Sequence, residues 1–227
     1  TVRYNDSYIY YNCHFCSGHF KTNFTKIKIM ALNQSRVKFI EQHKNDVISA
    51  TIGTGIFPSV KMAQMIIESS DKGIAGGGIT ARKANNYFGI KANKSWTGEK
   101  MSFSTPKDAL LSDDAKDKVS YFRVYPTAKD SIIDHTNFLK VNPRYEKAGV
   151  FSAKNVPEQL QALQKSGYSQ SPDYASMLAK IIRDYNLESL DSEQSVKKKR
   201  KFLIIAIIII VSIIILLLLF KYKKVIK

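Results

Sequence analysis

One carboxylate stands out by its setting. The run PSVKMAQMIIESS (58–70) puts Glu68 near the end of an otherwise apolar helix, followed by a glycine-rich loop and the aromatic stretch NNYFGIK (85–91). An acid in apolar surroundings keeps its proton toward neutral pH, which is what a general acid must do. The negative end of a helix dipole pushes the same way. The plain alternative is a solvated Glu at a helix end. Asn86, Tyr87, Phe88 and Trp96 offer an amide and aromatic faces that could hydrogen-bond or stack on a ligand, or simply pack a small sheet. His135, on a helical stripe, reads as a satisfied core histidine.

Other chemistries find less support. Cys13, His14, Cys16 and His19 form the one metal-like cluster, and they are the setting of both cysteines. C-x-x-C alone is a weak zinc signal, and Ser17 after Cys16 excludes c-type haem attachment. Composition accounts for the cluster better than a metal does. The domain itself shows no metal-ligand constellation. Gly76-Gly-Gly78 lacks the Gly-Lys-Ser/Thr ending of a phosphate loop. No cofactor or metal is expected.

The elements that must position Glu68 follow from periodicity. A helix is expected over 35–50, capped by Ser35, with Val37, Ile40, Val47 and Ile48 inward. Pro58 opens a second helix reaching about Ser70, with Val60, Ala63, Ile66 and Ile67 as its core face. Residues 87–90, 100–104 and 120–125 read as short strands of a two- or three-stranded antiparallel sheet. Thr127 caps a helix to Val141, with Asp130 completing a capping box. Pro157 opens another helix closed by Gly167, and Ser171-Pro172 opens the last. The expected domain is α+β, mostly helical, with a small β-lobe inserted after the second helix.

Charge and hydropathy add the ends. Of the net +16, +9 lies from Val196 onward and +3 in residues 1–30, leaving +4 for 31–195. The basicity is therefore mostly a property of the termini, and nucleic acid is not an expected partner. FLIIAIIIIVSIIILLLLF (202–220) carries no charge in 19 residues and reads as one C-terminal transmembrane helix, in contact with the lipid bilayer. Both its flanks are basic, so orientation stays open. Residues 1–30 read as a doubtful, unstructured extension, with Met30 as the expected initiator. The remaining expected divisions are a catalytic domain at 31–187, a polar and basic linker at 188–201, and a basic tail at 221–227.

Five motifs in order carry a resemblance: PSVKMAQMIIESSDKG, NNYFGIKA, SWTGEK, FRVYPTAKDSIIDHTNFL and GYSQSPDYASMLAKII. Together they resemble the bacterial glucosaminidase family, glycoside hydrolase family 73, over about 36–187. The resemblance implies a lysozyme-like, two-lobed fold and an endo-β-N-acetylglucosaminidase that cleaves peptidoglycan glycan strands. It gives Glu68 the general-acid position. It places a second carboxylate in the β-lobe, where Asp114, Asp113 and Asp108 are the candidates, Asp114 first. It makes Tyr168 a cleft residue that assists, and Tyr174 a second candidate, one that also fits the apolar face of the last helix. The expected protein is a monomeric, single-pass membrane peptidoglycan hydrolase with its catalytic domain on the periplasmic or external side. The alternatives are a non-catalytic wall-binding module on the same anchor and a basic scaffold at a lipid surface.

Overall fold

The structure is a computed structural model. It describes the backbone of residues 3–5, 8–10, 19–103 and 120–225, and the side chains of 34–103, 120–196, 199–200 and 202–215. Strands β1 (Arg3–Asn5) and β2 (Tyr8–Tyr10) pair as an antiparallel hairpin. Helix α1 (His19–Thr51) follows. It passes through Ser35 without a break, so Ser35 is not the cap expected of it. The cluster of Cys13, His14 and Cys16 lies outside the described residues, as does the His19 side chain.

Helix α2 (Pro58–Glu68) is the centre of the domain. All of its residues from Pro58 to Ile66 are buried. It packs against α1, α6 (Val156–Lys165), α7 (Tyr174–Asp184) and the start of α8 (Glu188–Val225). Pro58 at the first turn costs no hydrogen bond there. The N-terminus has no cap from its own segment. Asp191 of α8 supplies one, accepting from Ser59 N (2.9 Å) through Oδ1 and from Ser59 Oγ (2.7 Å) through Oδ2. Gln159 of α6 accepts from Phe57 N at 2.9 Å. At the other end, the loop 69–78 folds back on the helix. Gly78 N donates to Ser69 O at 2.8 Å and Gly76 N to Ser69 Oγ at 3.0 Å. Gly76 has φ +71°, and a Cβ there would lie 2.8 Å from the Phe39 ring, so this turn needs glycine.

The β part is smaller than the sequence suggests. Strands β3 (Lys100–Ser102) and β4 (Tyr121–Arg123) form an antiparallel pair, with Met101 opposite Phe122. Residues 87–90 are not a strand. Asn86 clamps them into a turn, its Oδ1 accepting from Ile90 N and its Nδ2 donating to Ile90 O and Arg123 O, each at 2.9 Å. The remaining helices are α3 (Ile79–Ala84), ahead of the sheet in the chain, and α4 (Ala128–Val141) and α5 (Pro143–Lys147) after it. Thr127 and Asp130 form the capping box at the start of α4.

The membrane-spanning helix is a correction. Among the described residues, no helix is long and apolar enough to cross a membrane. This overturns the expected transmembrane helix at 202–220, its contact with the lipid bilayer and the single-pass membrane location. The side chains of 216–220 lie outside the described residues.

Candidate active site

The last turn of α2 presents Glu68 to solvent, beside residues that are wholly enclosed. Tyr174, near the start of α7, donates its hydroxyl proton to Glu68 Oε1 at 2.9 Å. Gln64, one turn before Glu68 on α2, donates Nε2 to the same Tyr174 hydroxyl at 3.3 Å. Protein packed behind the carboxyl desolvates its charge and raises the Glu68 pKa above the usual carboxylate range, partly offset by the Tyr174 bond. The outward side stays open. An acid whose pKa burial raises and whose approach is free holds its proton to higher pH than a free carboxylate and can hand it to an incoming oxygen.

Behind this pair runs a buried polar line. Tyr168 stacks on Tyr174 with ring centres 5.2 Å apart. The Tyr168 hydroxyl lies 3.0 Å from His135 Nε2. His135 Nδ1 lies 2.6 Å from the Lys61 amine. His135 is sandwiched by rings, stacking on Phe88 at 3.9 Å. Lys61 has no exposed surface and no acidic partner among the described residues, so burial pushes its pKa far down toward the neutral amine. Burial and the neighbouring amine likewise depress His135. Tyr168 and Tyr174 are raised by burial first, and Glu68 adds to both.

Sequence reasoning missed Lys61 and Gln64. They precede Glu68 by seven and four positions, so all three share one helical stripe beside the apolar one. Two polar residues spaced that way before a singled-out acid are the available signal.

The other expected site residues fall as follows. Asn86, Tyr87 and Phe88 are buried. The Asn86 amide is used by the turn, Tyr87 packs on Phe39 and His43, and Phe88 covers His135. Trp96 is half-buried on the β-lobe, with the Arg123 guanidinium 4.5 Å from its ring. Arg123 is held in turn by Asp134 at 2.7 Å, which also accepts from Tyr125 at 2.6 Å. Asp108, Asp113 and Asp114 lie outside the described residues. No cluster that could hold a metal occurs among the described residues. A separate apolar groove, lined by Val156, Leu160, Ala175, Ala179 and Ile182, includes neither Glu68 nor the side chains of its polar line.

A mostly helical domain built around one core helix, with an acid at its tip and a small antiparallel sheet beside it, has the lysozyme-like fold. Residues 44–187 match the glucosaminidase family, described as mannosyl-glycoprotein endo-beta-N-acetylglucosaminidase, and the chain belongs to that family. It is similar to the exo-glucosaminidase LytG of Bacillus subtilis, 34% identical over 139 residues that cover 60% of this chain and 46% of LytG. It is also similar to the peptidoglycan hydrolase FlgJ of Vibrio parahaemolyticus, 29% identical over 146 residues, 63% of this chain and 45% of FlgJ. The chain thus spans less than half the length of these two relatives. Among solved structures it resembles the catalytic domain of the autolysin Auto from Listeria monocytogenes. That match has a TM-score of 0.55 and 25% identity, and covers 69% of this chain and 88% of that one.

Proposed function

We propose that this domain hydrolyses peptidoglycan, cleaving the β-1,4 bond after N-acetylglucosamine with Glu68 as the general acid. The observation that carries the reading is the state of Glu68. It is an acid with a raised pKa, reachable from solvent and gripped by one tyrosine, inside the family-matched stretch. Glu68 gives its proton to the glycosidic oxygen as that bond breaks, and positive charge builds on the sugar carbon left behind. Tyr174 then stabilises the carboxylate that remains. Asp114 or Asp113, with Asp108 behind them, supplies the second carboxylate. Trp96 on its Arg123 support offers the stacking face for a sugar ring. Relatives named as peptidoglycan hydrolases support the substrate class. Wild-type protein and Glu68→Gln run on gels impregnated with murein test the reading. A clearing band for wild type alone is expected. No band for wild type, or equal bands for both, overturns it.

A further inference from the structure

The two faces of the small sheet differ in kind. Side chains alternate along a strand, and residues opposite one another in the register share a face. Met101 lies opposite Phe122, whose ring meets Phe103 at 5.9 Å, so one face is apolar. The other carries Tyr121 and Arg123 from β4, with Ser102 and Lys100 opposite them on β3. It holds two ring–cation pairs. The Lys100 amine stands 5.1 Å from the centre of the Tyr121 ring, and the Arg123 guanidinium 4.5 Å from that of Trp96. The cations are not alike. Arg123 is paired with Asp134 at 2.7 Å, whereas Lys100 has no carboxylate partner among the described residues. Nor are the rings alike. Trp96 spends its indole N–H on Glu99 O at 2.9 Å and has Tyr125 packed against it at 5.8 Å. Tyr121 is 43% exposed. The face therefore offers an open ring, a braced ring and one positive charge that no described acid offsets.

We propose that this face binds the glycan strand at an acidic unit. A sugar ring lies on Tyr121, and Lys100 pairs with a carboxylate hung from N-acetylmuramic acid, whether on its lactyl group or on its stem peptide. The proposal rests on peptidoglycan as the substrate, and not on Glu68 as the acid. The apolar side of a sugar ring fits an aromatic face, and an ammonium on a flexible stem follows a carboxylate whose position varies. Arg123 is already satisfied by Asp134, so it braces Trp96 and leaves the incoming charge to Lys100. The two residues then do separate work. Tyr121 holds any β-1,4 glycan of N-acetylated sugars. Lys100 distinguishes the wall polymer from chitin, which has the same linkage and no carboxylate. Lys100 is in this sense a specificity residue of the β-lobe, and Tyr121 a general binding one.

Calorimetric titration of the full chain carrying Glu68→Gln tests this with three soluble ligands at low salt. They are chitotetraose, the tetrasaccharide of alternating N-acetylglucosamine and N-acetylmuramic acid without peptide, and the same tetrasaccharide with its stem peptides. At least one acidic ligand should bind about fivefold more tightly than chitotetraose, the effect of one partly exposed ion pair. Preference for the peptide-free ligand identifies the lactyl carboxylate, and preference for the peptide-bearing one alone identifies the stem. Lys100→Met should abolish the preference, Lys100→Arg should keep it, and added salt should shrink it. Tyr121→Ala should weaken all three ligands about fivefold and leave the preference standing. Both side chains are exposed, so these variants keep the fold. A preference that survives Lys100→Met, unchanged binding in Tyr121→Ala, or no binding of any ligand overturns the proposal. Clearing of murein gels by wild type would still stand in each of those cases. If Glu68→Gln cleaves the ligands, the general-acid reading falls, and the same comparisons are made from KM.

Discussion

Asp191→Ala should loosen the helix that carries Glu68. Asp191 reaches from the first turn of α8 to the N-terminus of α2, where its two oxygens accept from Ser59 N and Ser59 Oγ at 2.9 and 2.7 Å. Ser59 has no exposed surface, so water cannot replace the lost acceptors. An orphaned buried donor costs about 1–3 kcal/mol, and losing an N-cap alone about 1. Charge adds little. Burial raises the Asp191 pKa despite the two Ser59 bonds, so the ionised form gains nothing net from this site. The expected loss is therefore about 2 kcal/mol, or roughly 4–8 °C in Tm for a domain of this size. Asp191→Asn keeps an acceptor for Ser59 N and should lose under ~1 kcal/mol. The sign with pH is set as well. An acid whose folded pKa lies above its unfolded value costs stability as pH rises from 3.8 through the folded value, because the unfolded chain releases its proton first. Asp191→Asn should remove that slope. Thermal melts of the three proteins at pH 7 and across the acid range check all of this. Asp191→Ala melting within 1 °C of wild type, or Asp191→Asn falling as far as Asp191→Ala, would refute the reasoning.

Three further outcomes are expected. Gln159→Ala removes the acceptor for Phe57 N and the donors to Gly55 O and Val150 O, and should cost about 3 kcal/mol in denaturant unfolding. Because the Glu68 pKa is raised, glycan cleavage should fall with rising pH along a basic limb lying above the usual carboxylate range; a limb near 4 would contradict this. Lys61 is a base whose folded pKa is depressed, so the unfolded chain takes up its proton first. Stability should therefore fall as pH drops below 10.5, until the folded pKa is reached. Melts between pH 7 and 10 should slope upward in wild type and less so in Lys61→Met.

Where the sequence could be read, local chemistry decided the outcome. Thr127 and Asp130 sit three apart before an apolar stripe, and they make the expected capping box. Pro58 opens α2 as its fixed φ allows. What the sequence did not show turned largely on partners distant in the chain. Tyr87-Phe-Gly-Ile90 has strand-like residues, but Asn86 binds the backbone of Ile90 and Arg123 and holds a turn. The cap of α2 comes from Asp191, 132 positions away. Lys61 looks like a surface residue by type, and only the packing of α4 and α7 against α2 shows it to be enclosed. The run at 202–220 is read from hydropathy alone, and among the described residues no helix is long and apolar enough to cross a membrane. Glu68 stands out in the sequence because an acid in an apolar run is rare. Its grip by Tyr174 required the fold.

The chemistry at Glu68 is tested most directly by the ends it makes. Purified peptidoglycan sacculi digested with the full chain, then reduced with borohydride, should release fragments ending in N-acetylglucosaminitol, and Glu68→Gln should release none. Fragments ending in N-acetylmuramitol, or equal release by Glu68→Gln, would contradict the account.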